Sequence, residues 1–231
     1  MKLTLVRNAT LVLETSRGKV LVDPMLRAAG STPPIDDTPN PRRNPLVELP
    51  VPAADVVRDV SMCIVTHLHG DHFDDVAAEL LPRDLPLLTQ PDSVEGLRAR
   101  GFTNVATDDP EWPLTRGRHG TGKLGEALGA VSGRVMDGVY VAGDTIWCDE
   151  VAQALEQHRP RAIVVNGSGA RFNEGGPIVM DAEDVRQVRA ATDAAVVVVH
   201  LEAMNHCLES RATYRAIGGV IVPDDGETID V

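Results

Sequence analysis

The chain has 231 residues, 43% of them hydrophobic, and a formal net charge of −12 at pH 7. This length and composition fit one domain with a well-buried core over residues 1–231. The acidic balance argues against a nucleic-acid-binding surface, which needs clustered Lys and Arg, and no apolar run approaches the roughly 18 residues of a membrane span.

The cysteines and the first residues bear on the compartment. Cys63, Cys148 and Cys207 are an odd number without CxxC spacing, so we expect free thiols. Charge interrupts the N-terminus too early for a signal peptide, and we therefore expect a cytoplasmic protein without a membrane partner. Proteins of this size often form homo-oligomers, although the sequence pattern marks no interface.

The N-terminal residues predict the start of a β-sheet. Residues 3–6, 10–14 and 19–22 have the apolar patterns of strands. Asp23-Pro24 is a turn pair that ends the third strand.

A long loop is predicted next, because residues 25–52 are rich in proline and lack periodicity. Loops of that length inside a compact domain are usually functional lids or disordered segments. Arg42 and Arg43 in this loop either present two guanidinium groups to a substrate phosphate or carboxylate, or are solvated charges.

Four residues of metal-ligand type, His67, His69, Asp71 and His72, follow the apolar run 62–65. Side chains alternate between faces in an extended segment, so His67 and His69 point the same way and can bind one metal ion. Gly70 permits a sharp turn, which can bring Asp71 and His72 to a second metal ion about 3.5–4 Å away. Ordinary polar loop residues are the alternative, but this spacing after a buried strand favours a metal site.

Strand and helix patterns alternate through the rest of the chain, which predicts an α/β fold. Asp92 and Asp181 are predicted N-terminal caps of helices. We predict helices at 74–81, 92–100, 150–158, 181–191 and 211–217, strands at 86–90, 128–136, 139–142, 162–165 and 196–199, and a final hairpin of 220–222 with 228–230.

Further candidate site residues stand at the ends of these elements. His119 lies in a compact stretch with little strand pattern, and His200 ends the run 196–199. Asp144 follows the strand 139–142 and is, by itself, either a helix cap or a carboxylate ligand. Asn166 either donates to a substrate or belongs to a plain connection from strand to helix.

Taken in series, these motifs resemble the metallo-β-lactamase superfamily, whose signature is His-x-His-x-Asp-His. The resemblance covers essentially the whole chain and implies an αββα sandwich, two mixed β-sheets flanked by helices. Residues 25–52 leave the ligand-bearing end of such a fold, so we expect a flap over the site. The implied ligands are His67, His69 and His119 for one metal, Asp71, His72 and His200 for the other, and Asp144 as the bridge.

The resemblance also implies chemistry. Two divalent cations, Zn²⁺ or alternatively Mn²⁺, would supply a bridging hydroxide for hydrolysis, with Asp71 as both ligand and proton acceptor. Residues 200–207 resemble the ending of one branch of small cytosolic hydrolases. His206 in that run is either a catalytic acid or hydrogen-bond donor on the substrate side, or a packing residue.

The branch most resembled includes the ascorbate-6-phosphate lactonase type, which implies a small lactone or phosphorylated ester as substrate. A phosphodiesterase is the near alternative. A mononuclear iron oxidoreductase of the persulfide dioxygenase type and a non-catalytic metal-binding protein are alternatives from other classes. Retention of both His72 and His200 argues against the first of these, and the complete ligand set argues against the second.

Overall fold

Twelve strands and seven α-helices make up the computed structural model, which describes residues 1–231. The strands are β1 (Lys2–Arg7), β2 (Thr10–Thr15), β3 (Gly18–Val22), β4 (Met62–Val65), β5 (Leu87–Thr89), β6 (Val105–Ala106), β7 (Leu114–Arg116), β8 (Ser132–Met136), β9 (Val139–Val141), β10 (Ala162–Asn166), β11 (Ala195–Val199) and β12 (Thr228–Asp230). The helices are α1 (Ala53–Val56), α2 (Asp75–Leu80), α3 (Val94–Ala99), α4 (Gly122–Leu128), α5 (Asp149–His158), α6 (Ala182–Ala191) and α7 (Arg211–Arg215). None of the helices combines the length and the apolar character needed to cross a membrane.

The strands form two mixed sheets. The seven-stranded sheet has the order β12-β1-β2-β3-β4-β5-β6, and the five-stranded sheet has the order β11-β10-β9-β8-β7. Strands β3 to β6 are parallel in the first sheet, as are β9, β10 and β11 in the second. The remaining neighbours pair antiparallel.

Buried apolar side chains form three layers, one between the two sheets and one between each sheet and the helices that cover it. Alternation along β11 shows the arrangement: Val197 and Val199 join the core between the two sheets, whereas Val196 and Val198 pack with α5 and α6. On the other side, α2 and α3 cover the outer face of the seven-stranded sheet. The predicted αββα sandwich is therefore confirmed.

Local turn and cap chemistry explains several element boundaries. Asp137 and Gly138 have φ of 44° and 78°, and they form the tight turn predicted between β8 and β9. The Asp74 carboxylate accepts from the Ala77 N–H at 2.8 Å and caps α2. Asp181 caps α6 in the same way, with bonds of 3.0 Å from Glu183 and Asp184.

The predicted C-terminal hairpin is wrong, because the two segments join different sheets. Ile221 bridges Val197 of β11, whereas β12 pairs antiparallel with β1. Each segment covers the open edge of one sheet, which leaves fewer unpaired edge groups than a free hairpin would.

Two predicted boundaries are also corrected. The strand placed at 128–136 begins at Ser132, because the residues before it form α4. Asp92 does not cap α3, since it lies inside a short 3₁₀ turn, Pro91–Ser93, that precedes this helix.

Gly133 offers a test of how tightly the strands are packed below the site. A Cβ atom built at Gly133 would lie 2.4 Å from the Val141 carbonyl oxygen and 2.8 Å from that of Ala142. Because backbone must move to admit it, we expect Gly133→Ala to lower the free energy of unfolding by about 2 kcal/mol or more. Urea denaturation measures this change.

Gly176→Ala is the matched control, because nothing lies within 4 Å of a Cβ atom built there. We expect its free energy of unfolding to stay within about 0.5 kcal/mol of wild type. Equal stability of the two variants would contradict the tight packing of β8 against β9.

Candidate metal centre

The candidate ligands converge because parallel strands end at the same edge of each sheet. Asp23 follows β3, the His67 motif follows β4, and Asp144 follows β9, with Asn166 and His200 at the ends of β10 and β11. All five residues are at least 97% buried. The ends of the two sheets thus meet in one buried polar volume.

Three histidines form the first group in this volume. The nitrogen atoms that His67, His69 and His119 can offer lie within 4.8 Å of one another. His67 Nε2 is 2.9 Å from His69 Nδ1. His119 Nδ1 donates to the Ile178 carbonyl at 2.8 Å, which leaves its Nε2 for the group.

The second group consists of Asp71, His72 and His200, whose candidate ligand atoms also lie within 4.8 Å of one another. His200 Nε2 is 3.3 Å and His72 Nε2 is 3.9 Å from Asp71 Oδ2. Asp144 stands between the groups, with Oδ2 3.1 Å from His72 Nε2 and 3.8 Å from His119 Nε2.

The chemistry of these atoms fits divalent cations. Asp71 Oδ2, His72 Nε2 and His200 Nε2 are each buried without a hydrogen-bond partner. Buried polar atoms normally have such a partner, so three orphaned atoms facing one another indicate a place for a cation. Imidazole nitrogen and carboxylate oxygen are ligands that Zn²⁺ and Mn²⁺ accept.

The charges of the cluster are strongly coupled. Although burial acts in the opposite direction, His72 and His200 hold the pKa of Asp144 well below its usual range. His206 belongs to neither ligand group, although its Nε2 is 4.0 Å from Asp71 Oδ2. Burial lowers the pKa of His206 to about 4, so its imidazole is neutral at pH 7.

Asp23 orients two of the candidate ligands. The sequence pattern indicates only a turn at this residue, so its supporting role is visible in the structure alone. Its Oδ2 accepts from His72 Nδ1 at 2.8 Å and from the Thr66 hydroxyl at 2.7 Å. That hydroxyl is 3.1 Å from His67 Nδ1. Such outer contacts fix the ring orientation and the tautomer, leaving the inner nitrogen free for a metal.

Asn8 connects the two ligand loops through backbone contacts. Its carbonyl accepts from the His200 N–H at 2.8 Å, and its Nδ2 donates to the Asp71 carbonyl at 3.1 Å. His200 itself has φ of 65°, a left-handed conformation that is uncommon for this residue. The contact with Asn8 helps to hold that conformation.

A cavity of about 310 Å³ opens beside the cluster. Its wall includes Asp71, His206 and Asp144, together with residues from the long loop 25–52 such as Arg27 and Asn44. The apolar part of its wall consists of Met25, Ile35, Leu128, Phe172, Ile178 and Met204.

Arg42, Arg43 and Asn166, for which a substrate-binding role was one prediction, do not line this cavity. Arg42 and Arg43 are exposed and do not line the cavity, and the Arg43 guanidinium donates to the carbonyls of Gly30 and Ser31. Asn166 is buried and donates to Asp144 Oδ1 at 2.6 Å, so it supports a candidate ligand instead of facing a substrate. The cation in the cavity wall is Arg27, which the sequence pattern did not single out.

The role of Asp23 generates a prediction about metal affinity. We expect Asp23→Asn to weaken metal binding about 10- to 100-fold, because an amide is a poorer acceptor for His72 Nδ1–H. Competition with a chromogenic chelator measures the affinity. Asp59→Asn is the matched control, since Asp59 is exposed and has a similar positive φ of 59°. Equal affinity in both variants would contradict the orienting role.

Comparison with known proteins gives relatives that match most or nearly all of the chain. No protein-family model matches the sequence. The UPF0173 protein YddR of Bacillus subtilis is 35% identical, with 99% of each chain covered. A UPF0173 metal-dependent hydrolase of Rhizobium etli is 24% identical over 77% of each chain.

Solved structures agree with these relatives. The crystal structure of isothiocyanate hydrolase from Delia radicum gut bacteria has a TM-score of 0.94 and 34% identity, covering 100% of this chain and 99% of that one. The metallo-β-lactamase fold protein YhfI of Bacillus subtilis has a TM-score of 0.64 at 12% identity over 99% of each chain, and therefore shows the fold alone. The chain thus belongs to the UPF0173 family of metal-dependent hydrolases, which have the metallo-β-lactamase fold.

Proposed function

We propose that the protein is a dinuclear hydrolase of small, largely apolar electrophiles, of which isothiocyanates are the leading class. The observation that carries this proposal is the cavity, in which apolar side chains adjoin a cluster of candidate metal ligands. Its one Arg is already paired, since Arg27 Nε lies 3.2 Å from Asp74 Oδ2. Away from the ligand cluster, the wall therefore offers no unpaired Arg or Lys to a phosphate group, and its apolar side chains suit an apolar substrate.

The similarity to the isothiocyanate hydrolase structure supports the same substrate class, because that match extends over the whole chain. Hydrolysis of R–N=C=S consumes one water and gives the amine R–NH₂ and carbonyl sulfide. The water oxygen bonds to the central carbon, and the bond between that carbon and the nitrogen breaks. Both water protons end on the nitrogen, which keeps its bond to R and becomes the amine.

Two divalent cations, Zn²⁺ or Mn²⁺, would supply a hydroxide nucleophile at neutral pH and polarise the electrophile. His67, His69 and His119 would hold one cation, Asp71, His72 and His200 the other, and Asp144 would contact both. This assignment rests on two complete groups of inward-facing atoms.

The chain itself contributes positioning and proton transfer. Asp71 lines the cavity, so its carboxylate is placed to accept the proton that the attacking water loses. Neutral His206 also lines the cavity and offers the substrate one N–H donor and one acceptor nitrogen. The apolar wall excludes bulk water and holds the R group.

An assay panel tests the substrate class. We expect the metal-loaded protein to release amine from allyl isothiocyanate, and to act weakly on bis-p-nitrophenyl phosphate because the cavity wall carries no Arg or Lys outside an ion pair to bind the phosphate. Asp71→Ala should lower kcat/KM at least about 100-fold while the circular dichroism spectrum stays that of wild type.

Asp75→Ala serves as the control, since Asp75 is exposed in the first turn of α2. Turnover of a neutral lactone without isothiocyanate turnover would redirect the substrate class within the same chemistry. Turnover of the phosphodiester alone, or oxygen consumption with a persulfide, would overturn the proposal.

A further inference from the structure

Part of the long loop is closed on itself above the cavity. Thr32 and Asn44 exchange two backbone hydrogen bonds of 2.9 and 3.0 Å, and the Gly30 N–H donates to the Pro45 carbonyl at 2.8 Å. We refer to residues 32–45 as the cavity loop. It supplies Thr32, Pro33, Ile35, Asn44 and Pro45 to the cavity wall.

The side chain of Asn205 lies inside the cavity loop and is fully buried. Its Oδ1 accepts from the Ile35 N–H at 3.0 Å and from Asn44 Nδ2 at 2.7 Å. Its Nδ2 lies within donor distance of the Ile35 carbonyl at 3.1 Å, the Thr38 hydroxyl at 2.6 Å and the Asn40 carbonyl at 2.8 Å. One amide therefore serves groups from most of the loop.

The backbone of Asn205 completes the connection, because its N–H donates to Asn44 Oδ1 at 2.8 Å. The two asparagines thus pair reciprocally. Asn205 is followed directly by His206, which lines the cavity. The residue whose side-chain amide binds the loop is therefore the direct neighbour of His206 in the chain.

We propose that Asn205 is a positioning residue that fixes the cavity loop and so sets the size of substrate that the cavity accepts. This inference rests on the proposed function for the identity of the substrate. Without the amide, the buried N–H and carbonyl groups of the loop lose their partners and the loop must open to reach water. Ile35 would then leave its place against the small apolar cluster of Met25, Ala203 and Met204.

Other hydrogen bonds hold the residues that flank the cavity loop. The Leu46 N–H donates to the Ala203 carbonyl at 2.7 Å, and Arg7 donates to the carbonyls of Met25, Arg27 and Val47. These bonds hold the two ends of the long loop independently of Asn205. Its replacement should therefore release the cavity loop while the sandwich stays folded.

Hydrogen exchange tests the first half of the proposal without any substrate. In metal-loaded Asn205→Ala, we expect the amides of residues 32–45 to exchange at least about tenfold faster than in wild type. Those of β10 and β11 should be unchanged. Asn205→Asp should behave like Asn205→Ala, because it keeps the acceptor but loses the donors to Ile35, Thr38 and Asn40.

Substrate selectivity tests the second half. The readout is the ratio of kcat/KM for allyl isothiocyanate to that for 2-naphthyl isothiocyanate, which does not depend on the fraction of folded enzyme. We expect Asn205→Ala to lower this ratio at least about tenfold, since a displaced wall no longer rejects the bulky aryl group. The metal content per chain should equal that of wild type.

Asn173→Ala is the matched control, because Asn173 Nδ2 contacts the same loop at Asp37 Oδ1 but is exposed. Its exchange rates and selectivity ratio should match wild type. Unchanged exchange in Asn205→Ala would overturn the inference, and so would faster exchange with an unchanged ratio. Faster exchange in a protein whose wild type lacks isothiocyanate turnover would overturn the proposed substrate and leave the loop assignment supported.

Discussion

Burial of charge at the ends of the two sheets is the constraint on which the rest of the structure depends. Asp71 and Asp144 are 6% and 2% exposed, and five candidate ligand histidines surround them. A buried carboxylate is costly unless a cation or hydrogen-bond donors compensate it. Two divalent cations would compensate both carboxylates at once, which links metal binding to the stability of these loops.

The supporting contacts follow from that constraint, because an imidazole binds a metal well only when its other nitrogen is held. Asp23 holds His72, the Ile178 carbonyl holds His119, and His200 Nδ1 lies 3.5 Å from Cys207 Sγ. These partners come from the turn after β3, from the loop before α6 and from the segment after β11. Residues distant in sequence therefore orient one cluster, whereas the cavity that receives the substrate depends on the long loop.

Most strands and several candidate ligands could be predicted from the sequence because their signals are local. Apolar runs marked the strands, and ligand-type residues directly after such runs marked the His67 motif and His200. The two-sheet sandwich and His119, which stands in a poorly patterned stretch, were predicted only through the resemblance to the superfamily. The supporting residues have no such signal. Asn205 bonds to residues 161 to 170 positions away, and the Asn166 amide donates to Asp144, a contact that neither a substrate role nor a plain strand-to-helix connection predicts. The prediction of a terminal hairpin was wrong for the same reason. The two segments pair with β1 and β11, which are distant in the sequence, and a local pattern does not indicate such partners.

Metal content per chain, measured by elemental analysis of protein purified without added metal, tests the dinuclear site most directly. The comparison is between wild type, His200→Ala and the control His158→Ala, which changes a histidine at the end of α5. Two zinc or manganese ions in wild type and the control, falling to about one in His200→Ala, are the expected result. A single iron that His200→Ala leaves in place would contradict the dinuclear hydrolase and indicate oxygen chemistry instead.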